Sequence, residues 1–551
     1  MSTASEKYNL WKKQSILPEE LKLQLSELEG DKDAIYDAFY SDLSFGTSGL
    51  RGIMGPGTNR MNLFVVRKAS QGVSEYILKN YDNPSVVIGY DSRNNSKLFA
   101  YNAAAVFTAN GIKTYVFKDI TPVAEVSYAI AGLGTSVGIM ITASHNPRQY
   151  NGYKVYNHRG CQITGEQAEQ IQQEIDRVDI FTQPMGSITE CMPSEAESVP
   201  DYINDNFIED ILSQRFNTPD LSDLNIIYTP LNGAGYVPVT KVLKRLGIEK
   251  LHIVEEQKLP DGNFPTCPKP NPEMEKAFDR AFELDRKIGS DIIIATDPDC
   301  DRVGVAVNHN GKHVLLSGNE LGVLLFHYIC RMRQHQGTLP KNPIAVRSIV
   351  STPTVDRIAW EYGIEMKKTL IGFKYIGEII CELQDRGEAD RFVFGFEESK
   401  GYLSDGFVRD KEGVSAVMLT CQMAAHYKKE GKTLLDVLDD IYRKYRYHIE
   451  ENISEEMEGF RGRARMEDIM ESFRNEKEGQ CMGLAVKQKE DYMQKACREN
   501  ILSFTFENDV KMIVRPSGSE PKIKYYIFSE GKTREEAEKN IQKILTKLEQ
   551  R

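Results

Sequence analysis

Three times along this chain of 551 residues, a short apolar run of strand type gives way to a segment with helical spacing and then to another strand. That rhythm admits few folds, because parallel strands need a crossover connection and its helix must cover a face of the sheet. The first round runs through strand 86–90, helix 96–110, strand 114–117, helix 122–131 and strand 137–141. A second occupies 225–228, 239–246, 251–254, 274–287 and 291–295, and a third 344–346, 352–362, 366–370, 374–383 and 392–394. We therefore expect an α/β protein with three similar sandwich domains in tandem, at residues 42–205, 206–325 and 326–450. Residues 1–41 read as a polar helical extension packed on the first domain, since Leu21, Leu23, Leu25 and Leu28 are spaced too irregularly for a coiled coil. After a charged stretch over 451–500 the order changes to strands 501–506, 511–514 and 523–528 and a helix 534–548, which predicts a smaller C-terminal α+β domain over 451–551.

Charge narrows the partners. Lys and Arg total 69 against 80 Asp and Glu, a net charge of −11, so neither nucleic acid nor an anionic membrane is an expected partner. Any anionic ligand must be caught locally. Nine cysteines, an odd number without a Cys-x-x-Cys pair, fit neither a disulfide framework nor a zinc ribbon and point to a reducing compartment. The first 30 residues lack the apolar core of a signal peptide, and no run approaches the ~18 apolar residues of a membrane span. A soluble, cytoplasmic protein is expected.

Chemistry gathers where strands end. Strand 137–141 runs into Thr142-Ala143-Ser144-His145-Asn146-Pro147, which puts a hydroxyl beside a histidine in a segment whose proline forbids a following helix. The hexapeptide reads equally well as an Asn-Pro turn in which Ser144 and Asn146 satisfy backbone groups. Strand 291–295 runs into Asp297-Pro298-Asp299-Cys300-Asp301-Arg302. Three carboxylates so close repel one another unless they face open water or a cation, and all-oxygen ligands suit magnesium, calcium or manganese. An EF-hand would need glycine and glutamate where Arg302 and Asn308 stand.

Three further loops carry weaker signals. Arg515-Pro516-Ser517-Gly518-Ser519-Glu520-Pro521-Lys522 brings a guanidinium, two hydroxyls and glycine-flanked N–H groups into one turn, the parts of a phosphate cradle. Gly395-Phe396-Glu397-Glu398-Ser399-Lys400-Gly401 offers carboxylates to sugar hydroxyls, and the glycine-rich 46–52 loop holds Arg51. Each reads equally as an ordinary turn. Gly233-Ala234-Gly235 lacks the third glycine and acidic partner of a dinucleotide fingerprint.

Together these motifs resemble the α-D-phosphohexomutases, the phosphoglucomutase and phosphomannomutase superfamily, in the family's order and over nearly the whole chain. Residues 46–57, Gly372-Phe373-Lys374 and 515–526 look most like the branch of bacterial α-phosphoglucomutases and phosphopentomutases. The resemblance implies a phosphorylated Ser144, with one Mg²⁺ held by its phosphate and by Asp297, Asp299 and Asp301. It places Arg51, His145, Arg302 and Lys411 around the transferring group and makes Lys154 the proton donor and acceptor. Gly372, Phe373, Lys374, Glu397 and Ser399 would hold the sugar, and Arg515, Ser517, Gly518 and Ser519 the idle phosphate. The domains would surround a central cleft.

The activity so implied is interconversion of α-glucose 1-phosphate and glucose 6-phosphate through glucose 1,6-bisphosphate, which also activates the enzyme, by a monomer or homodimer. A phosphopentomutase or phosphomannomutase would use the same machinery. More remote alternatives are an aspartate-nucleophile phosphatase, whose motif Asp301 fits poorly, and a silent sugar-phosphate binding protein. One departure from the family is that Lys400, Gly401 and Tyr402 follow Ser399, where some members carry a histidine.

Overall fold

A computed structural model of the chain describes residues 3–46, 49–182, 186–217, 220–457, 459–495, 498–517 and 522–550. The chain divides into two compact units, residues 1–349 with 364–434 and residues 350–363 with 435–551.

The first unit contains three sheets, one for each round of the sequence rhythm. In the first the strand order is Leu50–Ile53, Tyr150–Asn157, Val137–Ile141, Ser85–Tyr90, Lys113–Val116, Glu197–Ser198. Its centre is parallel and its first two strands are antiparallel additions. Val137–Ile141 is buried along its whole length, as expected of a strand covered on both faces. The second sheet runs Lys312–Leu315, Val303–His309, Ile292–Thr296, Asn225–Thr229, Lys250–Ile253. The third runs Glu365–Thr369, Ile344–Ser348, Phe392–Glu397, Gly401–Leu403. All three put the strand that feeds a candidate loop inside the sheet, so each loop springs from a rigid support.

The N-terminal extension is three short helices, Ala4–Lys12, Glu19–Glu27 and Lys32–Phe39, rather than one polar helix. Pro18 starts the second, and Asp31 caps the third by accepting the Ala34 N–H at 2.9 Å. They belong to the core. Trp11 packs its ring against Phe39, Phe64 and Phe181 with centroids 5.8, 5.8 and 5.3 Å away, edge-on in each case.

The second unit is built on an antiparallel sheet in the order Tyr447–Glu456, Lys522–Gly531, Lys511–Pro516, Leu502–Phe506, Leu484–Asp491, Gln480–Cys481. Helices Gly459–Arg474 and Arg534–Glu549 pack with it, closing a core that includes Phe473, Phe504, Val514 and Ile541. The charged stretch expected over 451–500 is therefore largely ordered structure. No residue of Tyr447–Glu456 and only Val486 of Leu484–Asp491 is buried, so these strands write little apolar signal into the sequence. Helix Thr354–Glu361 lies with this unit, with Arg357 paired to Glu530 at 2.7 Å and Lys444 to Glu361 at 2.6 Å. Among the described residues, no helix is long and apolar enough to cross a membrane.

Candidate active site

Strand Val137–Ile141 delivers Thr142, and two residues on the backbone of Ser144 enters the left-handed region at φ 51°. A non-glycine residue there costs on the order of 1 kcal/mol or more and persists only when its surroundings hold it. The holding is visible. The Ser144 N–H donates to Thr142 Oγ1 at 2.8 Å, and the Arg93 guanidinium donates to the carbonyls of Ser144, Asn146, Pro147 and Tyr150. Arg93 is fully enclosed and paired at 3.2 Å with an equally enclosed Asp91, which accepts the hydroxyls of Thr142 at 2.6 Å and Ser96 at 2.7 Å. This pair was missed in the sequence, although Asp91-Ser92-Arg93 follows an apolar strand just as the serine and aspartate loops do.

The Ser144 hydroxyl donates to Asp297 Oδ2 at 2.6 Å and lies 3.1 Å from His145 Nδ1. Asp297 opens the loop after strand Ile292–Thr296, and the loop curls back on it, with the N–H groups of Asp301 and Arg302 donating to Asp297 Oδ1 at 3.0 and 2.9 Å. Cys300 supplies the bend in a left-handed conformation, φ 53°. Gly233 is a packing residue, because a β-carbon on it would come within 2.5 Å of Pro298 Cα. Its neighbour Ala234 donates to the Pro298 carbonyl at 2.9 Å, which supports the loop from below.

Asp297, Asp299 and Asp301 are buried, and each offers an oxygen within 4.8 Å of those of the others. Asp299 Oδ1 and Asp301 Oδ1 are enclosed without a hydrogen-bond partner. Burial, and then the charges of Asp299 and Asp301, push the Asp297 carboxyl well above the usual carboxylate range. Burial acts on Asp299 in the same sense, but Lys154 and its link to Asp297 outweigh it and hold that carboxyl below the usual range. Enclosed, unpartnered oxygens on converging carboxylates are the donor set of a hard divalent cation, so these residues fit a metal.

Cations surround the trio. Lys154, on strand Tyr150–Asn157, donates to Asp299 Oδ2 at 3.0 Å and lies 3.7 Å from Asp301. Lys411 lies 3.2 Å from Asp301 and 3.1 Å from Asp410. Burial disfavours the Lys411 charge, but Asp301, Asp410 and Glu397 together hold its ammonium above the ordinary lysine range. Arg302 bridges to Glu273 at 2.8 Å and to the Ser399 carbonyl at 3.1 Å, and Arg51 donates to the Asn146 side chain at 3.0 Å.

The loop after strand Phe392–Glu397 joins the same cluster. Glu397 ends strand Phe392–Glu397 and accepts the Gly372 N–H at 2.7 Å, and the Lys411 ammonium sits 5.5 Å from the centre of the Phe373 ring. Lys374 follows on the first turn of helix Phe373–Asp385, with its amine 4.8 Å from the centre of the Tyr375 ring. Lys400 has φ 65° and turns its amine to the Leu316 carbonyl at 2.9 Å. In the second unit Arg515 donates from Nε to the Pro516 carbonyl at 3.0 Å, and the Ser517 N–H to the Lys522 carbonyl at 2.8 Å. Gly518 and Ser519 lie outside the described residues.

A hydroxyl, a carboxylate trio that fits a metal and a ring of cations are the parts that phosphoryl transfer uses. Comparison with known proteins agrees. Profiles of phosphoglucomutase/phosphomannomutase α/β/α domains I, II and III match residues 42–180, 205–311 and 317–445. A phosphoglucomutase of Staphylococcus aureus strain MRSA252 is 36% identical over 506 residues, 89% of this chain and 90% of that protein, and its counterpart in strain USA300 is 35% identical over the same span. The fold is shared with a phosphoglucomutase/phosphomannomutase family protein of Burkholderia thailandensis, with TM-score 0.67 and 16% identity over 92% of this chain and 97% of that one. It is also shared with the open form of the Paramecium phosphoglucomutase parafusin, with TM-score 0.66 and 19% identity over 92% and 95% of the two chains. This chain belongs to the phosphoglucomutase/phosphomannomutase family, within the α-D-phosphohexomutases.

Proposed function

We propose that this protein is a phosphoglucomutase that interconverts α-glucose 1-phosphate and glucose 6-phosphate through a phosphorylated Ser144 and glucose 1,6-bisphosphate. The reading is carried by the 2.6 Å hydrogen bond from Ser144 to Asp297, in a chain 36% identical to a phosphoglucomutase over 506 residues. The same metabolism makes the cytoplasm its place of work.

Asp297, Asp299 and Asp301 would hold one Mg²⁺, which when bound neutralises phosphate charge and polarises the transferring group. Ser144, fixed by the Arg93 clamp, presents its oxygen at one defined point. Lys154 takes the proton of the sugar hydroxyl as that oxygen attacks the phosphoserine, and returns a proton to the departing oxygen in the reverse half-reaction. Arg51, His145, Arg302 and Lys411 balance the phosphate charge. Glu397 and Ser399, with Gly372, Phe373 and Lys374 beside them, hold the sugar hydroxyls. Arg515, Ser517, Gly518 and Ser519 hold the phosphate at the far end, so the bisphosphate must turn end for end between the two transfers. In this scheme the serine loop belongs to a domain at 42–205, the metal loop to 206–325, the sugar loop to 326–450 and the distal phosphate loop to 451–551.

The test is intact mass and a substrate panel. Brief exposure to glucose 1,6-bisphosphate should add one phosphate to the chain, mapped to Ser144, and Ser144→Ala should take up none and lose mutase turnover by on the order of 10³-fold or more. Label on Asp297, or normal turnover by the Ser144→Ala variant, refutes the mechanism. A higher kcat/KM for ribose 1-phosphate or mannose 1-phosphate than for glucose 1-phosphate would reassign the sugar.

A further inference from the structure

Helix Phe373–Asp385 begins just after Gly372, whose N–H donates to Glu397, and one of its faces is fastened to the segment that follows strand Tyr150–Asn157. Thr164 donates to Glu378 Oε1 at 2.6 Å, and Arg159 reaches both carboxylate oxygens of Asp385 at 2.9 Å each. Between these contacts the thiol of Cys161 meets that of Cys381, sulfur to sulfur at 3.0 Å. Residues 378, 381 and 385 are three and four apart and so share one face of the helix. Both thiols are free and buried.

The helix makes room for the second sulfur. Gly377 lies one turn before Cys381, and a β-carbon there would approach Cys161 Sγ to 3.3 Å and the Arg409 carbonyl oxygen to 2.5 Å. Gly160, at φ 78°, turns the chain tightly just before Cys161. Two guanidinium groups flank the pair. Arg159 donates to the Cys381 carbonyl at 2.6 Å, and Arg409 is anchored on the same helix through Gln384 at 2.6 Å. The hydrogen bond from Cys161, and behind it the charges of Arg409 and Arg159, lower the Cys381 thiol below the ordinary cysteine value against the opposing effect of burial.

We infer that Cys161 and Cys381 are a redox modification site, a dithiol that hydrogen peroxide converts reversibly into a disulfide tying the 157–164 segment to helix Phe373–Asp385. The Cys381 thiolate attacks one peroxide oxygen, the O–O bond breaks, and the departing hydroxide is protonated to water. Cys161 sulfur then attacks the resulting sulfenic sulfur. The S–S bond forms, the S–O bond breaks, and the leaving hydroxide takes the Cys161 proton as a second water. Two thiols and one peroxide thus give one disulfide and two waters, with two electrons passing from sulfur to oxygen. A disulfide needs the sulfurs about 1 Å closer than they stand. Thiol exchange with a dithiol reductant restores the pair.

This inference is independent of the mutase reading, and its test does not use activity. The full-length protein is treated with a small excess of hydrogen peroxide, alkylated, digested without reductant and mapped by mass spectrometry, with exposed Cys191 as the internal control for oxidant. The expected product is a peptide containing Cys161 linked to a peptide containing Cys381, two hydrogens lighter than their sum, which dithiothreitol separates. Cys161→Ser and Cys381→Ser should each abolish it, and the wild-type map stands alone should either variant fold poorly. Recovery of both cysteines as free thiols once Cys191 is oxidised overturns the inference. So does oxidation of each sulfur separately to sulfinic or sulfonic acid, or linkage of either one to a different cysteine.

Discussion

Ser144 donates its hydroxyl proton to the Asp297 carboxylate across 2.6 Å, although 153 residues separate them in the chain. The contact joins the bent loop after strand Val137–Ile141 to the bent loop after strand Ile292–Thr296. The serine oxygen faces a carboxylate cluster in which Asp299 Oδ1 and Asp301 Oδ1 are enclosed without hydrogen-bond partners, so a bound cation would offset their mutual repulsion.

Metal should therefore stabilise the fold as well as support turnover. A cation that binds only the folded chain raises stability by about 2.7 kcal/mol at a hundredfold excess over its Kd. The melting temperature should rise with added Mg²⁺ and fall with chelator, and Asp299→Asn should flatten that response together with activity. Identical melting of the wild type with and without Mg²⁺ would argue against a cation at the trio.

The role of Lys154 separates into charge and proton. Arginine keeps the charge but does not give up a proton near neutral pH, so Lys154→Arg and Lys154→Ala should both lower kcat by on the order of 10²- to 10⁴-fold. Near-wild-type kcat in the Arg variant would reduce Lys154 to a fixed positive charge.

Arg93 donates to the carbonyls of Ser144, Asn146, Pro147 and Tyr150, so it acts on the serine loop through the backbone. Arg93→Met strands Asp91 as an enclosed charge and should cost about 3–5 kcal/mol in denaturant unfolding. Adding Asp91→Leu should return much of that stability while turnover stays low, since the carbonyl clamp is still gone. Stability and turnover recovering together in the double variant would show that Arg93 only maintains the fold.

Glu125 sets a pH dependence away from the trio. Its carboxyl titrates near 4.5 when exposed, and burial carries it to about 7, against a hydrogen bond from Thr121 and with help from Glu412. Between those values the folded chain holds a proton the unfolded chain has released, so stability falls as pH rises through this window and the loss is complete above about pH 7. The swing is on the order of 3 kcal/mol. Glu125→Gln should remove it, leaving the variant more stable than wild type at pH 8 and close to it at pH 5 in paired denaturant titrations. Equal slopes for the two proteins would mean that another group titrates.

Sequence by itself determined the repeating α/β rhythm and the loops that carry chemistry, because a strand buried on both faces writes an unbroken apolar run and its end marks where polar side chains emerge. Ser144, the three aspartates, Glu397 and the Lys411 segment were all legible as residue types in such places or by family likeness. The N-terminal helices and the charged stretch before the last strands were read less well, since Trp11 finds its aromatic partners far along the chain and half-exposed strands bury too little to show a period. Only the tertiary structure decided which loops meet. Asp91 and Arg93 look like surface charges until the fold encloses them, Gly233 has no assigned role until Pro298 lies against it, and Cys161 and Cys381 are unrelated until a helix brings them together. Contacts of this kind follow from how sheets pack, and no local pattern of residues encodes that distance.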